Sequence, residues 1–184
     1  MNIKDLVYIS LFAALMAALS LFPPLMIPVI AVPVTAQTMG VMFAGGILGA
    51  KRGAFSMILF LVLVAVGLPL LSGGRGGIAV FAGPSAGFIL AWIAGAWVTG
   101  KLTERYWDNL THVKAFTICV VGGVGVIYLV GIPWVAAVAS LPLSKAAIGS
   151  AAFIPGDLVK AVVAAMVIMA VKRAYPLIKQ ATNT

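Results

Sequence analysis

The stretch Phe153–Val171, FIPGDLVKAVVAAMVIMAV, sets one acid and one base at the head of an otherwise apolar helix. Asp157 and Lys160 lie at i,i+3, so on a helix they share a face. Ala161–Val171 follows without a charge, so a bilayer would surround both ions. An ion within a membrane span costs about 2.5–3.5 kcal/mol on insertion scales and generally marks a functional position. Pro155 and Gly156 interrupt the chain just ahead. A helix N-terminus therefore opens here, with unpaired N–H groups and a positive dipole end. Two readings stay open: a self-neutralising pair at the membrane interface, or the floor of a binding site.

Working outward, composition places the whole chain in the same solvent. Of 184 residues, 63% are hydrophobic and only 9% are charged. The charge-free runs are Leu6–Ala50, Gly53–Gly74, Gly76–Gly100, Ala115–Ser144 and Ala161–Val171. A spanning helix takes about 20 mainly apolar residues, so the first run is long enough for two. The expected fold is an all-α integral membrane bundle of six transmembrane helices. Their expected positions are about Leu6–Phe22, Thr35–Ala50, Gly53–Leu71, Ser85–Thr103, Val113–Ile132 and Ile154–Tyr175.

The net charge of +8 raises the question of nucleic acid, and the distribution of the bases argues against it. With the N-terminus inside, Lys4, Lys51, Arg52, Lys101, Arg105, Lys114, Lys172, Arg173 and Lys179 all fall on the cytoplasmic side. Only Arg75 and Lys145 face outward, which is the positive-inside pattern, and an even helix count returns the C-terminus to the cytoplasm. The basic residues thus orient the protein in its lipid bilayer. Residues 1–22 imitate a signal peptide, but Asp5 and Pro23-Pro24 fit cleavage poorly, so the segment is expected to remain as the first helix.

Within that first helix, Ala13, Ala14, Ala17 and Ala18 form a smooth strip that lets another helix approach closely, either internally or from a partner. Prolines 23, 24, 28 and 33 then forbid a continuous helix. Irregular backbone at membrane depth must be buried in protein or line a cavity, so Thr35 and Gln37 become candidate ligand contacts. The segment Ser72–Gly87 is rich in glycine and carries Arg75, an anion fork among backbone N–H groups. Gly77, Phe81, Gly83 and Ser85 of this segment join the candidate set, and Ser85 can equally start the next helix. Lys51-Arg52 reads as a tight inner turn, and Pro133 to Ile154 as a long apolar outer segment capping the site. In that segment Trp134 offers either a flat apolar surface to a ligand or an interfacial belt aromatic.

Other chemistries find little support. Gly95–Lys101 imitates a phosphate loop, but Leu102 replaces the required Ser or Thr and no strand precedes it. Asn109-Leu110-Thr111 matches a glycosylation sequon on the cytoplasmic side. Cys119 and His112 are each the only one of their kind, and four acids are scattered along the chain. Neither a metal centre nor a catalytic triad can be built from that set. An intramembrane hydrolase using Asp157 would need a second carboxylate beside it, whereas Asp5, Glu104 and Asp108 belong to the cytoplasmic end.

Taken together, Val32–Gln37, the glycine-rich Gly73–Gly87 loop, Phe153–Lys160 and the small size resemble BioY, the family of biotin-binding S components of energy-coupling-factor (ECF) vitamin transporters. The likeness runs over nearly the whole chain, with one departure: Phe88 stands where a tyrosine is expected. The resemblance implies a single S-component domain over residues 1–184, in the plasma membrane of a prokaryote, binding biotin and needing neither cofactor nor metal. It further implies that the alanine strip docks on a transmembrane coupling protein served by two ATP-binding cassette ATPase subunits. Asp157 would accept from the ureido nitrogens of biotin and Lys160 would donate to the ligand, while Arg75 or loop N–H groups would hold the carboxylate. An S component for another vitamin, an intramembrane enzyme and a ligand-free assembly partner are the competing readings.

Overall fold

A computed structural model describes residues 2–27 and 32–178. Helix α1 (Ile3–Leu19) starts three residues earlier than its apolar run. The cause is a capping box, in which Asn2 Oδ1 accepts from the Asp5 N–H and Asp5 accepts from the Asn2 N–H. The proline-marked segment that follows is a short antiparallel hairpin, β1 (Leu25–Ile27) against β2 (Val32–Val34), in the register Leu25↔Val34. This hairpin is the departure from an all-helical fold; Pro28 lies outside the described residues.

Helices α2 (Gln37–Leu48) and α3 (Ala50–Ala65) are separated by Gly49 alone, whose φ of 85° turns the chain by itself. Lys51 and Arg52 therefore do not form the inner turn expected of them; they occupy the first turn of α3. The N–H of buried Ala50, at the start of α3 and without a partner in the helix, donates to Glu104 Oε1 at 2.7 Å. After α3 the chain crosses a glycine-rich return that contains a 3₁₀ turn (Ile78–Phe81) and enters α4 (Ala86–Arg105).

The next helix is continuous from His112 to Val138. It comprises α5 (His112–Val120), a π-helical stretch (Val121–Val126) and α6 (Ile127–Val138). It does not stop before Pro133 as expected: membrane helices tolerate an internal proline where local 3₁₀ or π adjustments take up the freed backbone groups. Within the outer segment expected after Pro133, a further helix that was not foreseen, α7 (Leu143–Ala151), forms, and α8 (Ile154–Ala174) follows.

Helix α4 packs on α2, α3 and α6, while α1 packs on α3 and α8 on α2 and α5. Helix α2 is buried along most of its length. At 12 residues it rises only about 18 Å, short of the roughly 30 Å hydrocarbon core. Ala86–Arg105, His112–Val138 and Ile154–Ala174 are long and apolar enough to cross a membrane. Val62, Leu129, Val159 and Met166 point outward in an arrangement that suits lipid, and the chain is a multi-pass membrane protein.

On α1, Ala13 is buried and Ala17 partly so, whereas Ala14 and Ala18 are exposed beside Val7 and Leu11. The four alanines are thus two strips, one packed internally and one facing out.

The approach of α4 to the turn between α2 and α3 depends on Gly100, where a Cβ would strike the backbone of Gly49 and Ala50. Backbone cannot swing aside, so Gly100→Ala should cost about 1–3 kcal/mol of overpacking. At Gly156 a Cβ meets nothing within 4 Å, so Gly156→Ala should be neutral or stabilising by up to about 1 kcal/mol. Thermal unfolding in detergent should rank the two variants in that order; equal midpoints would contradict the close approach.

Candidate ligand-binding site

Two helix N-termini and one mid-helix phenol meet around Asp157. Phe153 occupies the cap position of α8 with Pro155 in the first turn, so Asp157 sits where the helix dipole favours negative charge. Lys160 Nζ lies 2.8 Å from Asp157 Oδ1. It also donates to the Thr35 carbonyl at 2.6 Å and to Thr38 Oγ1 at 3.1 Å. Thr38 in turn donates to Asp157 Oδ1 at 3.2 Å, and Tyr128 Oη donates to Oδ2 at 2.6 Å. The pair therefore ties α2, α6 and α8 together.

Counting donors and acceptors defines what remains for a ligand. An ammonium has three donors, and all three of Lys160 are taken. A carboxylate offers about four acceptor positions, and three on Asp157 are occupied. One position on Oδ2 and the acceptor lone pairs of Tyr128 Oη stay open. This corner is consequently built to accept hydrogen bonds from a ligand, and Lys160 acts first as its clamp.

A single cavity is lined by Asp157, Lys160, Thr35, Thr38 and Tyr128, together with Arg75, Ser85, Gln37, Phe88, Trp92 and Phe153. Arg75 reaches it through a tight reversal: Gly73 and Gly74 both adopt positive φ, and Leu71 and Arg75 exchange backbone hydrogen bonds across them. Arg75 Nε donates to the Ser72 carbonyl at 3.3 Å and Nη1 to Ser85 Oγ at 3.2 Å. Of five guanidinium donors, three stay available, and among the described residues Arg75 is in neither ion pair. Its partial burial lowers its pKa somewhat, which is the desolvation that an incoming anion offsets.

Between these polar ends the wall is aromatic. Phe88, Tyr128 and Phe153 pack edge to face, with centroid separations of 5.8, 6.3 and 6.5 Å. Phe88 fills its position in this triangle through its ring.

The other sequence candidates have different surroundings. Gln37 borders the cavity but is 1% exposed, and its amide is fully engaged. Its Nε2 donates to the Met16 and Leu70 carbonyls, while Oε1 accepts from the Ser72 N–H and hydroxyl. It fastens the return loop to α1 and α2 and has little left for a ligand. Thr35 contributes its carbonyl, its hydroxyl being used by the Gln37 N–H. Trp134 does not line the cavity: Nε1 donates to the Gly83 carbonyl at 3.0 Å, and the side chain packs on Gly87. Together Trp134 and Gly83 brace the start of α4. The Gly77 N–H donates to Val64 O at 2.8 Å, anchoring the loop to α3. Phe81 lies instead in an outward-facing groove with Ile58, Val62 and Leu90.

The BioY family model matches residues 1–177. The chain belongs to the BioY family. It is 51% identical over 183 residues to the biotin transporter BioY of Rhizobium etli, covering 97% of this chain and 98% of that one. With the probable biotin transporter BioY of Bacillus subtilis it shares 44% identity over 177 residues, covering 96% of this chain and 95% of the relative. A crystal structure of the S-component for biotin from an ECF-type ABC transporter superposes with a TM-score of 0.88 at 34% identity, covering 93% of this chain and 92% of that one. The S-component fold is thereby shared.

Thr38, Tyr128, Phe88, Trp92 and Phe153 of this BioY chain border the cavity without having been singled out as ligand contacts by sequence. A signal did exist for two of them. Tyr128 and Trp92 carry polar atoms into apolar spans, and such atoms need partners.

Tyr128→Phe removes a hydrogen bond to a buried carboxylate, worth about 1.5–3 kcal/mol. The expected result is a lower melting midpoint without ligand, restored little by added salt. An unchanged midpoint would show that Tyr128 does not hold Asp157.

Proposed function

We propose that this chain is the biotin-capturing S component of an ECF-type importer and not an enzyme. The observation that carries the reading is the cavity with an acceptor corner at Asp157 and Tyr128 and an anion fork at Arg75. Biotin has a matching order of groups: two ureido N–H donors on an apolar bicycle, then a flexible chain ending in a carboxylate. Asp157 Oδ2 and Tyr128 Oη would take the N–H groups, the aromatic wall the bicycle, and Arg75 with Ser85 the carboxylate. The names of the relatives, biotin transporters from Rhizobium etli and Bacillus subtilis, support this choice of ligand.

The wider setting follows from the same reading. The chain acts as one domain over residues 1–184, crosses the plasma membrane of a prokaryote six times and keeps both termini in the cytoplasm. A transmembrane coupling protein and two ATP-binding cassette ATPases supply the energy. Docking uses the outward strip Ala14 and Ala18, since Ala13 is already buried within the bundle.

Isothermal titration of the purified protein should show tight biotin binding without nucleotide or metal; correctly folded protein that fails to bind would sink the assignment. Asp157→Asn with Lys160→Gln removes both charges while keeping hydrogen-bonding shape. That variant should lose at least about tenfold in affinity, because a ligand N–H then faces an amide in place of a carboxylate. Full affinity in the folded double variant would make the pair a structural clamp only.

Docking has its own test. Ala14→Leu with Ala18→Leu should abolish co-purification with the coupling protein and biotin uptake, and leave biotin affinity within about twofold, because the ligand cavity is lined by other elements. A parallel loss of affinity would show that the strip serves the bundle itself.

A further inference from the structure

Away from the ligand cavity, α5 and α8 pack side by side and leave a groove between them. Its walls are His112, Val113 and Phe116 of α5 and Val162, Ala165 and Met166 of α8. Ala165 is buried and forms the floor, whereas Val113 is 75% exposed and Met166 52% exposed. Apart from His112 at one end, the lining is apolar.

The groove is aligned with a group of bases. Lys172 and Arg173 follow Ala165 and Met166 by seven residues, which is two helical turns. They therefore continue the same stripe of α8, about 10 Å beyond the groove. Lys172 Nζ donates to the Trp107 carbonyl and lies 5.3 Å from the centroid of the Trp107 ring. Numbers rise along α8 as they fall toward Trp107, so the groove opens at His112, beside these bases. Arg105 and Lys114 stand 6.0 and 5.8 Å from the neighbouring Tyr106 ring. Among the described residues, none of these four bases is in an ion pair. The acids nearby are Glu104, whose Oε1 accepts from the Ala50 N–H, and exposed Asp108. Positive charge is thus in excess at the mouth.

Depth and charge together select the occupant. Tyr106 and Trp107 are the aromatic types that sit at headgroup level. From Arg173 back to Val162 is 11 residues, about 16 Å, which matches one leaflet of the roughly 30 Å hydrocarbon core. A neutral lipid would fill the groove and leave the bases without a counter-charge. A partner helix would have to bring acids to the interface and displace Phe116 and Met166.

We propose that the α5–α8 groove binds an anionic phospholipid. One acyl chain lies between Phe116, Val162 and Met166, and the phosphate rests against Lys172 and Arg173. On the topology given above the lipid belongs to the cytoplasmic leaflet. The site is independent of the biotin cavity, since Asp157 lies about 22 Å from Lys172 along α8.

The test is native mass spectrometry of delipidated protein in detergent, with phosphatidylglycerol and phosphatidylcholine of identical acyl chains. Phosphatidylglycerol should bind roughly tenfold more tightly, the effect expected of two bases facing one phosphate. Lys172→Gln with Arg173→Gln should bring it down to the level of phosphatidylcholine. If that pair does not fold, Arg173→Gln alone, at an exposed position, should narrow the preference. Met166→Trp fills the groove and should displace the bound phosphatidylglycerol; Val162→Trp on the same wall replaces it if folding fails. Glycerol phosphate, a headgroup without chains, should not compete. Equal binding of the two lipids, a preference that survives loss of the bases, binding undisturbed in the filled groove, or competition by glycerol phosphate would each overturn the proposal. A dimer that Met166→Trp dissolves would assign the groove to a second copy of the chain and overturn it as well.

Discussion

Within an apolar bundle, a carboxylate such as Asp157 is tolerable only if its surroundings replace the water it has lost. Here Lys160, Thr38 and Tyr128 do so from α8, α2 and α6, and the Thr35 carbonyl steadies the ammonium. The arrangement fixes more than a charge. It sets the depth of α2 against α8 and the rotation of α6, because a slip of one residue in any of them would strand a buried polar atom. The same bonds leave one face of the carboxylate open, so the group that holds the helices together is also the one with an acceptor to offer.

Around this anchor the bundle is asymmetric. Helix α2 is too short to span and is enclosed by its neighbours, and its N-terminus therefore ends inside the protein, at the cavity. The length missing from α2 is filled by the β1–β2 hairpin and by the glycine-rich return that carries Arg75. Gln37 makes that substitution workable: one amide pairs with backbone of α1 and of the return loop, which otherwise has few partners at such depth. Trp134 and Gly83 brace the opposite edge. The cavity is thus framed by non-ligand contacts that keep Arg75 and Asp157 at a fixed separation, and such rigidity lowers the ordering cost of binding.

Sequence by itself determined the solvent and singled out Asp157, Lys160 and Arg75, which border one cavity, but not α7. Long charge-free runs are decisive because a bilayer penalises each ion, and Asp157 and Lys160 stood out for the same reason, whereas Arg75 stood out as the base of a glycine-rich outer loop. The resemblance to BioY was equally legible, because Val32–Gln37, Gly73–Gly87 and Phe153–Lys160 are contiguous motifs. What only the tertiary structure decided concerns direction and partnership. Helix boundaries shifted where a cap or a distant side chain intervened, as at Asn2 and at Ala50 beneath Glu104. Ala13 and Ala14 are neighbours in sequence, yet the first is buried and the second exposed. Gln37 and Lys160, both polar and both at the cavity, are fully engaged by protein groups, while Tyr128, not singled out by sequence, holds Asp157 and borders the cavity. The reason is that hydrogen-bond satisfaction is a property of pairs. A sequence shows which atoms need partners, and packing alone settles which of them find one within the protein.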